Sequence, residues 1–244
     1  MSSKTSFSSK IVKLLKSNID LIYLPILAII TFYSAQFIVG VPMLIILGSD
    51  TLKTPLIATI FSVLVYSLSF IFLLFTLKHI KPLKDPVTRN ELGLKDLITF
   101  SDIGLAVAGF FGYLAFSAIL TALFSVFPWF NLTENQPLLY STLISPFNKV
   151  FAAIALVVFG PILEEVIYRG LIYGKLRKKH SLITSILIVS ILFGFLHGQW
   201  NVGVDVFALS VVACLMRETT GTIYAGIILH MLKNTIAFYL LFMA

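Results

Sequence analysis

Residues 159–169 read FGPILEEVIYR and set two adjacent carboxylates, Glu164 and Glu165, and one guanidinium, Arg169, into a chain with a mean hydropathy of +0.99. A charge at the centre of a membrane helix costs about 2.5–3.5 kcal/mol on insertion scales, so an ionisable cluster there marks either a function or a lock between helices. Apolar residues surround the stretch on both sides, and that decides the fold class: an all-α bundle of membrane helices.

The composition agrees. Of 244 residues 58% are hydrophobic, 22 are phenylalanine and only 12% are charged, where a soluble domain carries about 25% charged residues. The formal net charge of +7 comes from short basic clusters between apolar runs. Cytoplasmic membrane loops have this pattern, so the charge excludes nucleic acid as a partner and leaves membrane lipid against the apolar surface. Cys214 is the single cysteine and lies in an apolar run, which excludes an intramolecular disulfide and a cysteine metal site. The first apolar run, from Leu21 to Gly48, is much longer than the roughly 7–15 residues of a signal-peptide core, so the N-terminus is expected to be retained.

Three regions follow. Residues 1–20 form a basic segment with Lys4, Lys10, Lys13 and Lys16, read as a partly amphipathic cytoplasmic N-terminus. Residues 21–149 hold N-terminal membrane helices with a basic loop at 78–102, in which NELGLKDL, residues 90–97, reads as a short interfacial helix. Residues 150–244 form the core that carries the polar motifs. Hydropathy places spans near 21–48, 55–77, 103–127, 150–173, 181–197, 202–216 and 222–243, with tilt or a kink expected at Pro25 and Pro42 in the first. That makes about seven membrane helices, six to eight if the boundaries shift, with residues 138–149 as the segment that would add one. Basic clusters at the N-terminus, at Lys78 to Lys95 and at Lys175 to Lys179 alternate with segments holding only Lys53 or Lys149. The alternation places the N-terminus in the cytoplasm and, for seven helices, the C-terminus outside.

Three polar motifs interrupt the last four apolar helices, and each pairs residues four apart, which stacks them on one helix face: Glu165 with Arg169, Phe193 with His197, and His230 with Asn234. Glu164 and Glu165 leave the helix about 100° apart and so face different surroundings. Arg169 is placed to hold Glu165 ionised, which frees Glu164 for chemistry. A glutamate beside two imidazoles and an amide can activate a water and stabilise the oxyanion it creates.

EExxxR, FxxxH and HxxxN, in this order on successive late helices, resemble the CPBP family of intramembrane proteases, named for CAAX prenyl endopeptidases and bacteriocin-processing enzymes. The resemblance covers roughly Val150 to Ala244. It implies an intramembrane protease in which Glu164, His197, His230 and Asn234 are catalytic, Glu165 and Arg169 support them, and Phe193 packs beside His197. The implied substrate is a peptide or a membrane-anchored protein, and the implied place is the cell membrane of a bacterium.

Two mechanisms fit these residues. Glu164, His197 and His230 would make a zinc set with a fourth position for water, as the metalloprotease class requires. Without metal, Glu164 and His197 would activate the water while His230 and Asn234 stabilise the oxyanion. Asn234 favours the second, since an amide is a poor zinc ligand and a good oxyanion donor. The competing functions are a non-enzymatic membrane immunity or regulatory protein, in which the cluster only locks helices, and a transporter that relays protons. One tension stands out: at about 1.5 Å per residue, Glu164 is about 16 Å from its basic loop but His197 about 26 Å from Lys179, although they must meet.

Overall fold

A computed structural model describes residues 18–52, 54–79, 87–134 and 146–243. Seven helices run through them: α1 Asp20–Leu52, α2 Pro55–His79, α3 Phe100–Phe124, α4 Pro146–Arg177, α5 Leu182–Phe195, α6 Trp200–Thr220 and α7 Tyr224–Phe242. There are no strands among these residues. In lipid every backbone polar group must be satisfied within the chain, which a continuous helix does and an open strand does not. By length and composition α1, α2, α3, α4 and α7 can each cross a membrane, while α5 is a shorter apolar helix. Of the segments read as an amphipathic N-terminus, 1–20, and as an added membrane segment, 138–149, residues 1–17 and 138–145 lie outside the described residues, while 146–149 open α4.

Local chemistry sets the helix ends. Thr99 and Asp102 form a capping box at the start of α3, each side chain reaching the other's backbone N–H. Ser181 caps α5 by accepting from Thr184 N at 3.2 Å. Gly221, with φ 69°, ends α6 in the left-handed conformation that a residue without Cβ adopts freely. In α1 the non-helical residue is Gly48, with φ 77° and ψ 164°, and not either proline.

The NELGLKDL segment departs from the sequence expectation, since it forms a single turn and no helix. Thr88 and Glu91 cap one another across 3.0 Å and 3.3 Å contacts, as if to start a helix, but Gly93 at φ 71° reverses the chain one turn later. The turn then packs on α4. A Cβ at Gly170 would lie 2.8 Å from Leu92 O, so α4 admits the turn only because that residue is glycine. Glu91 also pairs with Lys178, and Arg217 Nη2 donates to Glu91 O at 3.0 Å. Partial burial draws the Glu91 carboxyl upward, but hydrogen bonds from Lys178 and the Thr88 backbone outweigh it and hold the group below its usual range.

The bundle packs α2 along α1, α5 along α6, and α3 and α7 against α6. Where α5 crosses α6 the backbones touch: a Cβ at Gly194 would stand 2.7 Å from Gly203 O, and one at Gly203 2.9 Å from Gly194 O. Small residues permit such crossings in membranes, where close van der Waals contact drives association. Gly194→Ala is therefore expected to cost about 1–3 kcal/mol by overpacking and to lower the thermal midpoint. It should also disturb His197 three residues on, which a parallel loss of activity in the folded fraction would reveal.

One end of the bundle is aromatic. Trp129 stacks on Phe127 and stands 5.0 Å from Trp200, while Phe124 and Phe130 close the group. The opposite end carries Lys78, Arg177, Lys178 and Arg217.

Candidate active site

Helix α4 is irregular around its charges. Two π-helical stretches, Ile154–Phe159 and Val166–Tyr173, flank the α-helical turn Gly160–Glu165 that carries both glutamates. Such π segments are uncommon and concentrate at functional sites.

Glu165 and Arg169 are fully buried, and their ion pair is 2.9 Å long. The guanidinium also lies 4.5 Å above the centre of the Phe193 ring, a cation–π contact that covers its other face. Glu165 Oε1 stands 3.1 Å from His230 Nδ1 as well. Gly226 makes room for this carboxylate, because a Cβ there would come within 2.9 Å of Oε2. Glu164 points to a different neighbourhood: its Oε1 accepts from the Tyr66 hydroxyl, and its Oε2 lies 3.6 Å from His230 Nε2.

His197 sits on the turn just beyond α5. Its Nδ1 is 2.7 Å from Phe193 O; a carbonyl only accepts, so Nδ1 carries a hydrogen, and in the neutral ring Nε2 holds the lone pair. Asn234 Nδ2 donates to Leu156 O at 2.7 Å, which uses one of its two amide hydrogens.

Glu164, Phe193, His197, His230 and Asn234 all line one cavity of about 300 Å³, together with Tyr66, Tyr168 and Lys233. Glu165 and Arg169 are not on its wall. The depth mismatch is resolved by the helix boundaries. Helix α4 continues to Arg177 and α5 begins only at Leu182, so Glu164 and His197 stand about 20 Å and about 22 Å from those ends.

Among the described residues no group of three or more His, Cys, Asp or Glu side chains is spaced to hold a metal ion. His197 spends Nδ1 on Phe193 O, and each ring nitrogen of His230 faces a carboxylate. Both histidines thereby keep Nε2 as the nitrogen a metal would take, so it is the spacing alone that sets Glu164, His197 and His230 apart from a zinc set in this arrangement.

Two groups near the site have no counterpart in the sequence reading. Tyr66 comes from α2, a helix without any charged motif. Asp205 of α6 accepts from Tyr113 Oη at 2.6 Å and Ser117 Oγ at 2.8 Å, and pairs with Lys233 Nζ at 3.3 Å. Lys233 lies between His230 and Asn234 in the third motif, and its partner was the missing signal.

Residues 146–236 match the family model described as "Type II CAAX prenyl endopeptidase Rce1-like". A Bacillus subtilis (strain 168) protein named "Putative membrane peptidase YdiL" is 32% identical over 145 residues, which cover 59% of this chain and 57% of that protein. No solved structure matches the chain. Over residues 146–236, which carry Glu164, His197, His230 and Asn234, the chain is similar to the Rce1-like type II CAAX prenyl endopeptidases, and it spans just over half the length of the curated relative it matches.

Proposed function

We propose that the chain is an intramembrane endopeptidase that hydrolyses a peptide bond in a peptide or membrane-anchored protein, with water activated by glutamate and histidine. The observation that carries this is the Glu164 carboxylate, placed between Tyr66 and His230 on the wall of a cavity shared with His197 and Asn234.

In the reaction, Glu164 takes a proton from a water whose oxygen attacks the carbonyl carbon, with the lone pair on His197 Nε2 helping to hold that water. Asn234 donates its second amide hydrogen to the oxyanion, and His230 adds a second donor once it carries the proton exchanged with Glu164. The proton then moves to the departing amine as the C–N bond breaks, so the elements of water end on the two fragments. Glu165, paired with Arg169, accepts from His230 Nδ1–H and fixes that ring.

A cavity of about 300 Å³ is at the small end for ligand sites, with room for the atoms around one bond. The rest of the substrate then lies between helices or in lipid, which favours an extended peptide or a membrane-anchored tail. The basic end of the bundle faces the cytoplasm in this reading, with the N-terminus on that side.

The test compares membrane-associated and released peptides by mass spectrometry between cells with the wild-type chain and cells with the Glu164→Gln form at equal protein level. Fragments present only with the wild type are expected, and their yield should survive stringent chelation in purified membranes. Identical peptide sets would overturn the peptidase reading in favour of an immunity or regulatory protein. Loss of cleavage on chelation, restored by zinc, would overturn the metal-free form alone.

A further inference from the structure

We infer that Tyr66 is a positioning residue for Glu164, contributed by the part of the chain that lies outside the family-matching segment 146–236. This rests on the reading of Glu164 as the base.

The Tyr66 hydroxyl donates to Glu164 Oε1, while His230 Nε2 faces Oε2 at 3.6 Å. The two carboxylate oxygens are thereby given different tasks. A glutamate has three rotatable bonds before its carboxylate, and in an apolar cavity wall only specific donors stop it from sampling other orientations. The hydroxyl holds one oxygen still, and the other is left to exchange a proton with water and with His230.

The tyrosine is itself held in place. Its ring packs against Phe32 of α1 at 5.9 Å between centroids, and both residues line the cavity. Two turns earlier on α2, the one hydroxyl hydrogen of Thr59 is shared between Pro55 O of its own helix at 2.7 Å and Phe151 O of α4 at 3.1 Å, a second contact of α2 with α4. That bond and the Tyr66 contact lie seven residues apart on α2, hence near one face of it, so α2 meets α4 at two points along one side. A tyrosine offers the right combination here: a large apolar body for the helix interface and one polar atom at its tip.

The experiment uses the full-length chain in lipid nanodiscs and a synthetic peptide library, read by mass spectrometry, from which one cleaved peptide is taken for kinetics. Tyr66→Phe removes a single oxygen. It is expected to lower kcat about 10–100-fold, the scale of one charge-assisted hydrogen bond, with KM within about twofold of wild type. A thermal-melting cycle accompanies it, in which Tyr66→Phe is made beside Glu164 and beside Glu164→Leu. Wild-type kcat in the Tyr66→Phe form overturns the inference, as does a change confined to KM.

If the wild type cleaves no peptide, the peptidase reading fails on its own, and the melting cycle still judges Tyr66. Equal costs in the two backgrounds overturn its bond to Glu164; a smaller cost beside Leu supports it.

Discussion

Glu164→Gln should lower cleavage by about 10²–10⁴-fold while leaving the folded chain intact, the range that a positioned general base contributes. The substitution keeps the shape of the side chain. The amide oxygen can still accept from Tyr66, and the amide nitrogen can face His230. What disappears is the ability to take a proton from water, so kcat falls and KM changes little. Matched melting curves establish that folding is unaffected, and single-turnover kinetics on a cleaved peptide give the rate. A Glu164→Gln form with wild-type turnover would remove Glu164 from the chemistry.

Arg169→Met should be the most destabilising single change in the core. Glu165 and Arg169 are both fully buried, with their ion pair at 2.9 Å. Taking away the guanidinium leaves the buried carboxylate without its cation, facing His230, and strips the cation from the Phe193 face. Breaking a buried pair in this way costs about 3–5 kcal/mol. Replacing both partners, Glu165→Leu with Arg169→Met, should recover most of that loss, since no unpaired charge remains. The double variant should nevertheless be inactive, because His230 Nδ1 has lost the carboxylate that orients its ring. Unfolding midpoints in detergent and peptide cleavage, measured on the same samples, separate the two effects. A double variant that is both stable and active would show that Glu165 serves packing alone.

The helical architecture could be read in the sequence because apolar runs of span length admit few other structures in lipid. The site could be read in part, because residues four apart on one helix stack, and charges within apolar runs stand out. Other features lacked such a signal. The hydrogen bond from Tyr66 depends on how α2 lies against α4, and a tyrosine in a membrane helix is compositionally unremarkable. Asp205 and Lys233 sit on different helices, and nothing in their local sequence pairs them. The turn at 88–94 misleads for another reason. Its Thr88–Glu91 capping box resembles a helix start, and the positive φ of Gly93 cancels it one turn later. The depth of His197 is not legible in hydropathy because nothing in the basic loop marks where α4 ends, at Arg177, or where α5 begins, at Leu182.

The aromatic end of the bundle makes the chain its own optical probe. Trp129 and Trp200 are the only two tryptophans, and their ring centres are 5.0 Å apart. Ultraviolet emission excited at the red edge therefore originates from one spot, at the start of α6 and three residues beyond His197. Any spectral change on adding a peptide substrate reports on the mouth of α5 and α6 rather than on the bundle as a whole. Quenching by lipids brominated at graded depths would measure how far that spot lies below the headgroups.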